Sequence, residues 1–220
     1  MIDVHIAHLP GERKDWWEEC ERSLDGQPVT IYHTDGVIGD VRQARFNGYN
    51  LGSQEYVSYV DPDDRVLPGA FATLLSTLQA DPSIAGAYSM SNRLNEAGEV
   101  VGLMHPFREY RRDYLQHHTG EIHQLAVVRR DIILRVMTEN WDNIPPGGYA
   151  EIVYHAMVAR EYDWKAVNHV GYEWRVHNNG AHLLDLMDRS KSIQQLKSIS
   201  DEIISGSRRT SMVHAACNDG

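Results

Sequence analysis

The sequence predicts an α/β domain built on a mixed, mainly parallel sheet flanked by helices. Three observations carry that expectation. Runs rich in β-branched and aromatic residues, at 4–9, 29–33 and 55–60, alternate with stretches of helical spacing at 11–24, 41–51 and 67–78. That order is the β-α-β start of a nucleotide-binding domain. Further on, Asn95-Glu-Ala-Gly98 has turn chemistry and separates two strand patterns, so at least one pair of neighbours forms an antiparallel hairpin. Finally, 220 residues with 42% hydrophobic and 24% charged content suffice for one core without disulfide support.

The elements follow in order. Val4-His-Ile-Ala-His-Leu9 is a strand, and Gly11 to Leu24 a helix. Val29 to His33 is the second strand. Residues 41–51 form a short helix leading into the strand at 55–60, whose Tyr56, Val57, Tyr59 and Val60 suit burial; Pro62 ends it. Leu67, Phe71, Leu74, Leu75 and Leu78 then mark a helix. Asp81-Pro82 breaks the chain, Ile84 to Met90 is a strand, and Val100 to Met104 pairs back on it. Residues 105–118 are polar, aromatic and His-rich with no clean period, as in a mobile loop or lid. Ile122 to Val128 is a strand and Arg130 to Met137 a helix. The rigid connection Ile144-Pro-Pro-Gly-Gly148 positions a helix running from Glu151 to about Glu161, and Trp164 to Val170 is the final strand. Leu184, Met187, Ile193, Leu196, Ile199 and Ile203 predict an amphipathic helical appendage over 183–204, able to pack on the domain or on a second copy as a homodimer. Residues 205–220 are small and polar, a fraying tail.

Glu55-Tyr-Val-Ser-Tyr-Val-Asp61-Pro62-Asp63-Asp64 is the most informative stretch. A strand end here delivers three carboxylates to one turn. Oxygen-rich clusters hold hard cations such as Mg²⁺ or Mn²⁺, which keep positions open for a diphosphate. Asp and Pro also build ordinary surface turns, so the cluster alone leaves both readings open. Its neighbours favour the first. Ala44-Arg45-Phe46-Asn47-Gly48, then the strand, then Asp61-Pro62-Asp63-Asp64 and a helix with Pro68 at its start resemble the family-2 glycosyltransferases of the GT-A fold. Val4 to Leu9 looks like that family's first strand, and Val29 to Asp35-Gly36 like its second. Tyr149-Ala150-Glu151 looks like its catalytic-base motif and Arg175-Val176-His177 like its closing motif. The ordered match spans 2–180 and implies a principal domain at 1–182, with the nucleotide-sugar side at 1–104 and the acceptor and catalytic side at 105–182.

The resemblance implies roles. Asp61, Asp63 and His177 would meet at one Mn²⁺ or Mg²⁺, with Asp61 also on the nucleotide-sugar. Asp64 would complete the metal shell, hold the donor sugar, or cap the next helix. Arg175 would neutralise diphosphate charge through its fork of donors. Asp35 would accept a hydrogen bond from a pyrimidine, or be part of a plain turn; Arg45 would contact the nucleotide, or be a surface helix charge. Glu151 would be the general base. The family reads Glu-Asp at this point where this chain has Ala150-Glu151, so the assignment depends on register. The implied enzyme is a hexosyl- or pentosyltransferase that inverts the sugar received from a UDP-sugar.

Bulk properties bound the partners. A net charge of -10 disfavours a general nucleic-acid surface, although Arg108, Arg111 and Arg112 could line a compact groove as readily as a solvated face. The acceptor could be a saccharide, a protein or a hydroxymethylated base in DNA. Two distant cysteines, Cys20 and Cys217, support neither a disulfide framework nor a zinc motif, and His117, His118 and His123 read as acceptor-side or surface residues. With no apolar run of about 20 residues and no signal-peptide pattern at Met1, the expectation is a cytoplasmic protein without a membrane partner. Two other classes compete. A nucleotidyltransferase would need a Gly-rich basic loop where Leu9-Pro-Gly-Glu-Arg-Lys stands, and a degenerate transferase would only bind nucleotide-sugar.

Overall fold

The structure is a computed structural model that describes residues 1–112 and 122–177, with Gln194, Lys197, Ser198 and Asp201 beyond them. The expected appendage at 183–204 lies outside the described residues except for those four, and the tail at 205–220, His117 and His118 lie wholly outside them. The chain runs β1 (Ile2–His8), α1 (Lys14–Ser23), β2 (Val29–Asp35), α2 (Val41–Tyr49), β3 (Tyr56–Tyr59), β4 (Arg65–Val66) and α3 (Ala70–Ala80). It continues with β5 (Ile84–Leu94), β6 (Val100–His105), β7 (Ala126–Arg129), α4 (Arg130–Glu139), α5 (Ala150–Glu161) and β8 (Asp163–Arg175).

One mixed sheet has the order β2-β1-β3-β7-β5-β8-β4. Its first three strands are mutually parallel, as are β5 and β8, while β3–β7, β7–β5, β5–β6 and β8–β4 run antiparallel. Strands β7 and β6 share one edge of β5: β7 pairs with Gly86 to Tyr88, and β6 with Ser91 to Leu94. Thus β6 continues the line of β7 on the side of β5 that faces β3.

Period-2 alternation divides the core between the sheet's faces. Val57 and Tyr59 of β3 pack with Ile133, Val136 and Met157 from α4 and α5. Tyr56 and Val60 join Ile2, Val4 and Ile6, with Cys20 of α1 and Phe71, Leu74 and Leu78 of α3. Burying these side chains gives roughly 1.5–3 kcal/mol each and holds β1 and β3 in register below the acidic turn.

Several strands differ from expectation: β4 forms at Arg65–Val66, where no strand is expected, and β5, expected to stop at Met90, runs to Leu94. The strand expected at 122–128 starts only at Ala126, and ahead of it the Gln124 side chain donates to Asp61. The final strand, expected to stop at Val170, runs on to Arg175. Asn168, His169 and Gly171 are extra residues at two register shifts: Ser89 faces Val167, Met90 faces Val170 and Ser91 faces Tyr172. Past these shifts β8 reaches the acidic turn with Arg175, and His177 follows. Among the described residues no helix is long and apolar enough to cross a membrane.

Candidate active site

The site gathers at the ends of β1, β2 and β3, with the start of α5 and the loop before β7 closing one side. Helix α2 is capped by Asp40, whose carboxylate accepts the Gln43 N–H at 2.8 Å. Gly48 lies so close to β1 that a Cβ there would overlap the His5 ring. This approach brings Arg45 inward. Only 5% exposed, Arg45 lies 3.7 Å above the Tyr59 ring and pairs with Asp61, which removes the surface-charge alternative.

The acidic turn separates its three carboxylates. One oxygen of Asp61 pairs with Arg45 and the other accepts from Gln124 Nε2 at 2.5 Å. Asp63 meets His177 Nε2 at 2.7 Å, and the His177 ring packs edge-on to Trp16 at 4.8 Å. Asp64 is 1% exposed and uses both oxygens: Oδ1 accepts the Arg175 backbone N–H and Oδ2 the Tyr172 hydroxyl, each at 2.7 Å. Burial, then Asp63 and Asp61, pushes its carboxyl well above the usual carboxylate range.

Arg175 is equally committed. Its guanidinium donates to the Asp63 carbonyl at 2.7 Å, to Glu19 at 2.5 Å and to the Glu96 carbonyl at 3.3 Å. With 2% exposure it holds the turn in place, so neither it nor Asp64 presents the donor contact the resemblance implied. Nor do Asp61, Asp63 and His177 converge. The described residues contain no group of three or more His, Cys, Asp or Glu gathered for a metal. Asp63 and His177 are an oxygen and a nitrogen donor of the kinds divalent cations accept, and here they engage each other.

Glu151 lies in the first turn of α5, where the helix dipole favours a carboxylate. Its Oε2 is shielded from solvent and has no hydrogen-bond partner among the described residues. Burial raises the carboxyl to about 7, with Arg45 opposing the rise and Asp61 adding to it. A half-satisfied carboxylate of this kind can accept a proton near neutral pH.

At the other side of the site Asp35 stands exposed at the end of β2, beside His8. Sequence reasoning missed its surroundings. Glu12 bonds His8 Nδ1 at 3.1 Å, His8 Nε2 meets His33 Nδ1 at 3.0 Å, and His33 Nε2 meets Glu21 at 3.1 Å. It also missed Tyr59, Gln124 and Tyr172. The available signal was positional: His8 and His33 end adjacent parallel strands, where open α/β sheets bind ligands.

No protein-family model matches the chain, and no curated protein matches it significantly. Solved structures do. Residues 1–349 of S. aureus TarS in complex with UDP-GlcNAc superpose with a TM-score of 0.66 at 10% identity, over 93% of this chain and 70% of that one. The same TarS piece in complex with UDP gives 0.62 at 9% identity with the same coverages. Against a longer TarS chain the score is 0.60 at 11% identity, and this chain spans only 42% of it. At such identities the likeness establishes architecture alone: the chain has the GT-A fold.

Proposed function

We propose that the protein is a glycosyltransferase that moves a sugar from a UDP-sugar to an acceptor hydroxyl with inversion. The observation that carries this reading is Glu151, a carboxylate with one unpaired oxygen beside Arg45 and the acidic turn. The UDP-GlcNAc and UDP complexes of the TarS structures support the choice of donor.

Asp35 and the neighbouring β1 and β2 ends hold the nucleoside. Asp63 and His177 hold a divalent cation, which when bound offsets the negative charge of the diphosphate. Asp61 and Gln124, fixed by Arg45, line the floor between donor and base. Glu151 accepts the acceptor's hydroxyl proton as that oxygen bonds to the anomeric carbon; the bond to the diphosphate breaks, and its electron pair leaves with the nucleoside diphosphate. Attack opposite the leaving group inverts the centre. The test is turnover of UDP-sugars by the full chain with Mn²⁺ and with chelator, followed by NMR coupling constants of the product sugar. Release of UDP and an inverted product are expected. Failure to turn over any nucleotide-sugar overturns the transferase reading, and a retained configuration overturns the role of Glu151.

A further inference from the structure

The side chains of strand β6 are exposed as far as Met104. Val100, Val101 and Leu103 are 53%, 54% and 50% exposed, and Met104 and the following Phe107 are exposed as well. Register shifts leave Val101 and Met104 as extra residues opposite β5, so the side chains of β6 do not alternate regularly, and it is their exposure that shows them unpacked. Among the described residues β6 pairs only with β5. Proteins guard such edges with charges, prolines, bulges or a covering element. Val100-Val-Gly-Leu-Met-His105 has neither a charge nor a proline, and its own guards are the two bulges at Val101 and Met104. A strand bare on both faces has no single apolar face to offer a helix, but its outer backbone edge can take another strand.

The edge also leads into the site. His105 at the end of β6 stacks on His123 with ring centroids 3.5 Å apart, and its Nδ1 meets Ser91 Oγ at 2.7 Å. Gln124, next in the chain to His123, bonds Asp61 at 2.5 Å. The turn that begins β6 is held at the other end of the site, where the carbonyls of Glu96 and Gly98 accept from Arg175 and Arg65 at 3.3 and 2.9 Å. So β6 runs along the side of the crevice from the Asp63 end to the Asp61 end.

We propose that the acceptor is an extended polypeptide that adds as a strand to the free edge of β6 and presents a Ser or Thr hydroxyl to Glu151. This rests on the transferase reading above. The chemistry of the edge selects among acceptor classes. An oligosaccharide needs polar side chains to pair its hydroxyls, and β6 offers Val, Val, Gly, Leu and Met ahead of His105. DNA needs clustered Lys and Arg, and β6 has none on a chain of net charge -10. A polypeptide needs an unpaired backbone edge and apolar contacts for alternate side chains. The transfer balances as above: the Ser or Thr oxygen bonds to the anomeric carbon, its proton passes to Glu151, and the nucleoside diphosphate leaves with the electron pair of the broken bond.

The full chain is incubated with UDP-sugars and a degenerate pool of short peptides, each with one central Ser or Thr, and the products are read by mass spectrometry. Peptides carrying one added sugar are expected. Val101→Lys with Leu103→Lys should lower peptide modification about tenfold or more while donor hydrolysis by water stays unchanged. Hydrogen exchange of the β6 amides should be fast in the free chain and slowed by a modified peptide. An unmodified pool beside a working oligosaccharide or hydroxymethylated-DNA acceptor overturns the inference and leaves the transferase standing. Slow β6 exchange in the free chain would mean that another segment of the chain covers the edge. A dimer dissociated by the Lys variants would mean that a second copy does, and either result overturns the inference. Absence of all donor turnover removes the transferase reading and the inference together.

Discussion

The turn after β3 and the first turn of α5 both withdraw a carboxylate from water, and they treat it in opposite ways. Asp64 has both oxygens saturated by β8, from the Tyr172 hydroxyl and the Arg175 N–H, and serves as a rivet between the turn and the sheet. Glu151 has an oxygen with no partner at all. Burial raises both carboxyls. Only the second keeps an oxygen that accepts no hydrogen bond. A buried carboxylate therefore marks chemistry when its hydrogen bonds are incomplete, and architecture when they are complete. Asp63 stands between these extremes, partly exposed and bonded to the His177 ring.

Four experiments can break or sharpen that contrast. The largest effect is expected at Glu151: Glu151→Gln should keep UDP-sugar affinity and cut transfer on the order of 10² or more. The wild-type rate should fall as pH drops through about 7, because the carboxyl then holds the proton it must accept. Between its ordinary 4.5 and about 7 the native state retains a proton that the unfolded chain releases, so this residue's contribution to stability declines as pH rises through that window. Glu151→Gln should flatten both slopes in rate and Tm measurements. Near-normal turnover in Glu151→Gln would make Glu151 a second rivet.

Next comes Asp64→Ala. It leaves the Tyr172 O–H and the Arg175 N–H without their acceptor, a cost of about 2 kcal/mol read in urea unfolding. If it abolishes transfer with stability unchanged, Asp64 belongs to the chemistry and the contrast collapses. Smaller is the effect of Asp63→Ala or His177→Ala, each expected to weaken Mn²⁺-dependent UDP binding by about tenfold, at least the loss seen when a mere supporting residue of a metal site is removed. Calorimetry with Mn²⁺ and with chelator decides it, and equal UDP affinity in both for the wild type would remove the cation from the site. Least is expected of exposed Asp35: Asp35→Ala should narrow the preference for uridine over adenine nucleotides by a few-fold, and a wild-type preference for ADP would exclude its proposed contact.

Local periodicity and punctuation determined much of this protein. The alternation in β3, Pro62 after it, the leucine spacing of α3 and the 95–98 turn all act within a few residues, so the order of strands and helices was legible along with the positions of the acidic turn and Glu151. What each charged side chain touches depends on partners far away in sequence. Arg45 faces Asp61 because Gly48 lets α2 press on β1, and Asp61 turns from His177 because Arg45 and Gln124 hold its oxygens. Arg175 sits against Glu19 because the extra residues Asn168, His169 and Gly171 shift the register of β8 on β5. A motif names which residues come to the site, but hydrogen-bond saturation in a low-dielectric interior decides which of them remain free to react, and that saturation is a property of the assembled sheet.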